Sequence, residues 1–201
     1  SAIDVCLYWY NFRAQWNKGQ YATVESLKHV ERESPVPVVE FHPDTGSEFI
    51  NWVAKEYCDT RKIRLTRSEP GRKNDNMYVE ERNGHIVRRY LGYTRFDCSD
   101  CVSLINTLFD VLELYLNHFR AVKRQLSRKR VGAKYVRTFE KVPLSPYQRL
   151  LAHPLVADEV KEKVRAVHAT LNPLLLKQKI DTLLKDITNQ QSRHKNGSCH
   201  H

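Results

Sequence analysis

Asp44 and Glu80 are the side chains whose type and placement most readily suggest chemistry. Asp44 sits in the polar turn His42-Pro43-Asp44-Thr45-Gly46-Ser47 that follows the apolar run Pro37-Val38-Val39-Glu40-Phe41, and Glu80 lies in the first turns of a helical pattern that starts at Met77. Carboxylates delivered by separate elements suit Mg2+ or Mn2+, hard cations that take oxygen ligands. Two such ions clamp the attacking and leaving oxygens of a phosphodiester during in-line displacement. The same residue types also cap helices and answer the macrodipole, so spacing alone leaves both roles open. Glu81 projects about 100° around the helix from Glu80. Only one of the pair can face Asp44 squarely, and Glu80 is the candidate.

Charge is the second chemical signal. The chain carries 33 Lys and Arg against 23 Asp and Glu, a formal charge of +10. The excess is uneven: residues 1–60 are mildly acidic, whereas 120–149 hold ten basic side chains and one acid, Glu140. A cationic stripe of this kind suits a polyanion, because each neutralised phosphate releases counterions. Candidate nucleic-acid contacts are Lys123, Arg124, Arg128, Lys129, Arg130, Lys134 and Arg137 in the stripe. Lys73 and Asn74, in the loop before Glu80, could meet a phosphate or a base edge. Arg88 and Arg89 on the following helix suit the DNA backbone, since Arg is seldom buried unpaired.

Cys98-Ser99-Asp100-Cys101 invites a zinc reading, but structural zinc takes four ligands, usually from two such pairs. The sequence has no second Cys-x-x-Cys and no His-x-x-x-His. Cys98 and Cys101 therefore read as small buried residues at a helix start. The nine histidines suggest no Ser-His-Asp or Cys-His arrangement.

These groups need a frame. Hydrophobic residues at 41% and charged residues at 28% fit a folded chain and exclude a collagenous or disordered one. No apolar run approaches the roughly 20 residues of a membrane-spanning helix. The start, Ser1-Ala2-Ile3-Asp4-Val5, lacks a signal-peptide layout, and five cysteines without a dense framework fit a reducing cytoplasm. Ile3 to Trp16 is rich in aromatic and β-branched residues and predicts two short strands with a turn at Asn11. Helical spacing then predicts helices after Gly19, around Phe49 to Tyr57, over Met77 to Tyr90 and over Cys101 to Phe119. Short strands are expected at Pro37 to Phe41 and Ile63 to Thr66. Beyond the basic stretch, helices are expected near Ala157 to Leu171 and Leu174 to Thr188, with a frayed tail after Gln190.

The run His42-Pro43-Asp44-Thr45-Gly46-Ser47-Glu48-Phe49-Ile50-Asn51, then Thr66-Arg67-Ser68, then Asn74-Asp75-Asn76-Met77-Tyr78-Val79-Glu80, resembles the integrase core of bacterial insertion-sequence transposases, a module shared with retroviral integrases. Trp16-Asn17-Lys18-Gly19, Val87 to Tyr93 and Arg128 to Lys134 are similar to further segments of that family. Leu144-Ser145-Pro146-Tyr147-Gln148-Arg149-Leu150 and Leu171-Asn172-Pro173-Leu174 resemble its helical extension in one subgroup. Thr45 and Glu69 depart from the family's commoner Asn and Arg.

The resemblance implies an α/β fold: a ribonuclease-H-like mixed sheet with flanking helices, lacking its first strand, followed by a mostly helical basic extension. It divides the chain into a core over 1–120, a basic linker over 121–149, a helical extension over 150–190 and a disordered tail over 191–201. Asp44 and Glu80 become the second and third catalytic metal carboxylates, holding Mg2+ or Mn2+. The family's first Asp has no counterpart on a preceding strand; Asp4 resembles a non-catalytic Asp of the second strand, with a role as first ligand the lesser alternative. The implied activity is DNA cleavage and strand transfer on double-stranded DNA, by a homo-oligomer in a bacterial cytoplasm at the nucleoid. Two other readings remain: an inactive remnant that only binds DNA, and an unrelated basic protein that binds RNA or an acidic partner.

Overall fold

A computed structural model describes residues 1–17, 19–43, 52–66, 86–93, 96, 98–132 and 134–198. In chain order the elements are β1 (Ala2–Ile3), β2 (Tyr10–Asn11), α1 (Gln20–Glu33), β3 (Glu40–Phe41), α2 (Trp52–Thr60), β4 (Arg64–Leu65), α3 (described over 86–91), α4 (Asp100–Phe119), β5 (Gln125–Val131), β6 (Lys134–Phe139), α5 (Pro146–Ala152), α6 (Asp158–Thr170) and α7 (Pro173–Ser198).

The centre is α4. Cys101, Ile105, Leu108, Leu112 and Leu116 recur on one face and are buried, with Phe109 and Val111 beside them. Against that face pack Tyr10 and Phe12 from the N-terminal segment, Ile86 from α3, and Ile180 and Ile187 from α7. Each such side chain contributes about 1.5–3 kcal/mol when fully withdrawn from water, so this cluster dominates the stability. A second cluster joins α1, α2, β3 and β4 through Val24, Leu27, Ala54, Cys58 and Ile63. A third gathers Leu7, Trp9, Leu150 and Val164.

α4 also carries a polar stripe at helical spacing, Asn106, Asp110, Glu113 and Asn117, and three of these bond the extended backbone beside it. The Tyr10 amide donates to Asn117 Oδ1 at 2.8 Å, and Asn117 Nδ2 donates to the Tyr10 carbonyl at 2.9 Å. The Phe12 amide donates to Glu113 Oε1. The Ala14 amide and carbonyl bond Asn106 at 2.8 and 3.2 Å. Residues 10, 12 and 14 point the same backbone edge at α4 because strand geometry repeats every second residue. Side chains of a helix thus occupy the place that a neighbouring strand would take.

This arrangement corrects the expected sheet. Among the described residues there is no extended ribonuclease-H-like mixed sheet; the strands form three separate pairs, β1–β2 antiparallel, β3–β4 parallel and β5–β6 antiparallel, in a mostly helical molecule. Two physical causes are visible. The aromatic segment after β2 spends its hydrogen bonds on α4, and Pro35 and Pro37, ahead of β3, have no amide hydrogen to give to a ladder. The turn joining β1 and β2 also differs from the expected one at Asn11. It lies at Asp4 to Tyr8, where Asp4 Oδ1 accepts from the amides of Cys6 and Leu7 and Tyr8 takes a positive φ of 61°.

The helical half follows its sequence signals. Ser145 and Gln148 form a reciprocal capping box with Pro146 in the first turn of α5. Asn172 Oδ1 caps α7 by accepting from the amides of Leu174 and Leu175, and Pro173 opens that helix. The two family-like segments of the extension are therefore helix-start chemistry. α7 continues to Ser198, past the point where polar composition suggests fraying. No helix among the described residues is long and apolar enough to cross a membrane.

Candidate metal and nucleic-acid sites

β3, α2 and β4 make a compact crossover in which Glu40 pairs with Arg64 and Phe41 with Leu65. The carboxyl ends of the two strands lie together: the Thr66 amide donates to the Phe41 carbonyl at 3.0 Å. Thr66 Oγ1 donates to Glu40 Oε1 at 2.7 Å, and His42 Nδ1 lies 2.8 Å from the same hydroxyl. A hydroxyl has one proton to give, so with Thr66 donating to Glu40, His42 Nδ1 is the donor to Thr66. The Thr66 hydroxyl, and after it the Arg64 guanidinium, hold the Glu40 carboxyl below its usual range. Both described chain ends here, Pro43 and Thr66, leave from this carboxyl edge.

Asp44 and Glu80 lie outside the described residues, as do Lys73 and Asn74. Asp4, the alternative ligand, has its Oδ1 committed to the turn after β1. Among the described residues no group of three or more His, Cys, Asp or Glu side chains is placed to hold a metal ion. Cys98 and Cys101 are buried in the main core. Burial, with Cys98 as neighbour, pushes the Cys101 thiol up to about 11.

Arg88 and Arg89 are exposed on α3, and the Arg88 guanidinium stands 5.3 Å from the Tyr93 ring centre. The stretch read from sequence as a linker is a hairpin. β5 and β6 pair from Gln125↔Phe139 to Val131↔Lys134, with an irregularity between Gln125 and Ser127. Paired residues share a face and successive residues alternate. One face therefore carries Arg128 with Arg137 and Arg130 with Tyr135. The other carries Ser127 with Thr138, Lys129 with Val136 and Val131 with Lys134. Lys129, Arg130, Lys134 and Arg137 are exposed, as is Lys123 just before the hairpin. The Arg128 guanidinium lies over the Tyr135 ring at 3.9 Å.

Arg124, half-buried just before β5, donates from its Nε to Glu140 Oε1 at 3.2 Å. Arg149, buried in α5, bonds both Glu140 oxygens at 2.9 and 2.6 Å and the Val122 carbonyl at 2.8 Å. Hydrogen bonding from Arg149 above all holds the Glu140 carboxyl down at about 2. The single acid of the basic stretch is thereby neutralised at the hairpin's base.

Two further polar features were not anticipated from sequence. Glu113 and His29 face each other at 4.0 Å across a cleft of about 370 Å³ between α1 and α4, also lined by Arg13, Arg32, Glu33 and Asp110. Burial pushes the Glu113 carboxyl up to about 8 and lowers His29. His118, at the end of α4, lies 3.1 Å from His168 of α6, whose ring stacks on Tyr147. Burial pulls His118 down to about 4. The acid within the apolar run of α4 and its polar neighbours at helical spacing were the readable signal for Glu113; the histidines had none.

No family model matches the chain. A protein of Sinorhizobium fredii, uncharacterized protein y4rM, is 32% identical over 126 residues, which cover 63% of this chain and 36% of that relative.

Proposed function

We propose that this chain is part of a DNA transposase of the integrase-core type, which cleaves phosphodiesters and joins DNA strands with divalent metal. The supporting observation is the shared exit of the two motif-bearing segments: the chain leaves toward Asp44 at Pro43 and toward Glu80 at Thr66, from one carboxyl edge held by the Glu40–Thr66–His42 bonds. In parallel-stranded crossovers that edge is the usual place for ligand-binding residues. Asp44 and Glu80 are the residues that would hold Mg2+ or Mn2+, and their carboxylates suit hard cations. When bound, the metal supplies charge neutralisation at the attacked phosphate and a stronger oxygen nucleophile. The chain's own residues do the rest: the Thr66 and Arg64 bonds keep Glu40 ionised at the strand end, and the cationic hairpin retains the DNA. The working form is a homo-oligomer that brings DNA ends and target together.

The test is Mg2+- or Mn2+-dependent nicking and strand transfer of duplex DNA by the chain, beside Asp44→Asn and Glu80→Gln. Loss of activity in both variants with DNA binding retained supports the proposal. Activity unchanged by either substitution overturns the assignment. A chain that binds DNA with a steep salt dependence yet cuts none favours the DNA-binding reading without catalysis.

A further inference from the structure

The β5–β6 hairpin is built against its own stability. Arg128 and Arg137 stand directly opposite each other and Arg130 follows on the same face; like charges opposed across a ladder destabilise it. Apolar side chains do not compensate, for Leu126, Val131, Tyr135, Val136 and Phe139 are all at least 49% exposed. Such a local conflict marks a surface organised for something outside the chain. The chemistry of the occupant follows from the charges. Three guanidiniums share one face, the Arg128 guanidinium lies 3.9 Å from the Tyr135 ring centre, and Glu140 is bound by Arg149. A polyanion laid on that face offsets the opposed positive charge.

The hairpin's base is fixed, so its direction is fixed too. Val122 and Leu144 exchange backbone bonds at 3.0 and 3.2 Å, and the Glu140 amide donates to the Arg124 carbonyl at 2.9 Å. Beyond this base a seven-residue strand reaches about 24 Å at strand rise. The major groove of B-DNA, about 12 Å wide, admits a two-stranded ribbon and carries the fuller base code.

We propose that the β5–β6 ribbon enters the major groove of duplex DNA with the Arg128, Arg130, Tyr135 and Arg137 face toward the base edges and the Lys129 and Lys134 face outward. This rests on the DNA reading above and adds the element, the face and the groove. Arginine matches guanine O6 and N7 in that groove as a bidentate donor, while the ribbon's outer lysines steer the approach through long-range attraction.

The experiment is binding of the full chain to a short fluorescent DNA duplex across a sodium chloride series, with dimethyl sulfate probing of guanine N7. The triple variant Arg128→Ala, Arg130→Ala, Arg137→Ala is expected to bind at least about tenfold more weakly, with a log K against log[salt] slope shallower by about 2 to 3, and to lose guanine N7 protection. Lys129→Ala with Lys134→Ala is expected to keep the protection and to lose less affinity. If the triple variant does not fold, Arg130→Ala and Arg137→Ala alone should each flatten the slope by about 1. A steep wild-type slope with an unaltered Arg-face variant overturns the ribbon while leaving the DNA reading standing. A flat wild-type slope removes the DNA reading itself. Equal losses from the two faces overturn the orientation. An RNA duplex bound as tightly as DNA overturns the groove, because the A-form major groove is too narrow for side chains to read.

Discussion

Replacing Glu113 by Gln should make the protein more stable at alkaline pH while leaving it nearly unchanged in mild acid. The carboxyl sits between α4 and α1, with His29 opposite, Asp110 on its own helix, Glu33 on α1 and the Phe12 amide donating to it; Arg13 and Arg32 border the same cleft. Burial raises it from 4.5 to about 8, opposed by the Phe12 bond and reinforced by Asp110 and Glu33. Between those values the folded protein holds a proton that the unfolded chain has released, so stability falls as pH rises through the interval. At about 1.4 kcal/mol per unit, the loss reaches about 5 kcal/mol by pH 8, a large share of an ordinary domain's stability of roughly 5–15 kcal/mol. Glutamine keeps an oxygen for the Phe12 amide and has no proton to lose. Urea unfolding followed by the buried Trp9 should therefore show wild type and Glu113→Gln within about 1 kcal/mol at pH 5 and several kcal/mol apart at pH 8. His118 acts in the opposite sense. Its folded value near 4 lies below the ordinary 6.5, so stability falls as pH drops through that interval, by at most about 3 kcal/mol, in both proteins alike. Parallel pH profiles for the two proteins between pH 5 and 8 would refute a protonated, buried Glu113.

Arg149→Ala should destabilise by about 3–5 kcal/mol, because it leaves Glu140 without its main partner at the hairpin base; chemical denaturation measures this. Adding Glu140→Ala to it should recover part of the loss, and simple additivity of the two would deny the pairing. Asn117→Ala strands both the amide and the carbonyl of Tyr10 in a buried setting and should cost about 2–4 kcal/mol, whereas the same change at the exposed Asn172 cap should cost about 1 kcal/mol; melting curves of the two variants give the comparison.

Much of the helical frame was legible because it rests on local signals. The apolar repeat of Cys101 to Leu116 and the Asn172-Pro173 junction each act within a few residues, whereas α5 was not read, although its Ser145–Gln148 box is an equally local signal. The strands were harder, since a strand is defined by what it pairs with. Pro37 to Phe41 and Ile63 to Thr66 read as two strands, and within them Glu40–Phe41 and Arg64–Leu65 are parallel partners. Ile3 to Trp16 also read as two strands, with a turn set at Asn11, but the partner of Tyr10 to Ala14 is the polar stripe of a helix about a hundred residues later, which no local pattern announces. The basic stretch was recognised by its charge; that it folds back on itself depends on Gly132 at φ 61° and on the register around it. Asp44 and Glu80 came from residue type, placement and motif order, and their chemistry rests with the nicking experiment.

The bonding of Tyr10, Phe12 and Ala14 to α4 spans 107, 101 and 92 positions. A ribosome adding roughly 5–20 residues per second makes the first partner long before the second. For about 5 to 20 seconds the nascent segment holds two large aromatic rings and a row of backbone groups with their eventual partners still unmade. During this interval a chaperone would find an extended apolar stretch to grip, and a strand edge from another nascent chain would find a template. Cellular yield should therefore depend on elongation speed across residues 15 to 105 more steeply than the equilibrium stability of the finished protein suggests.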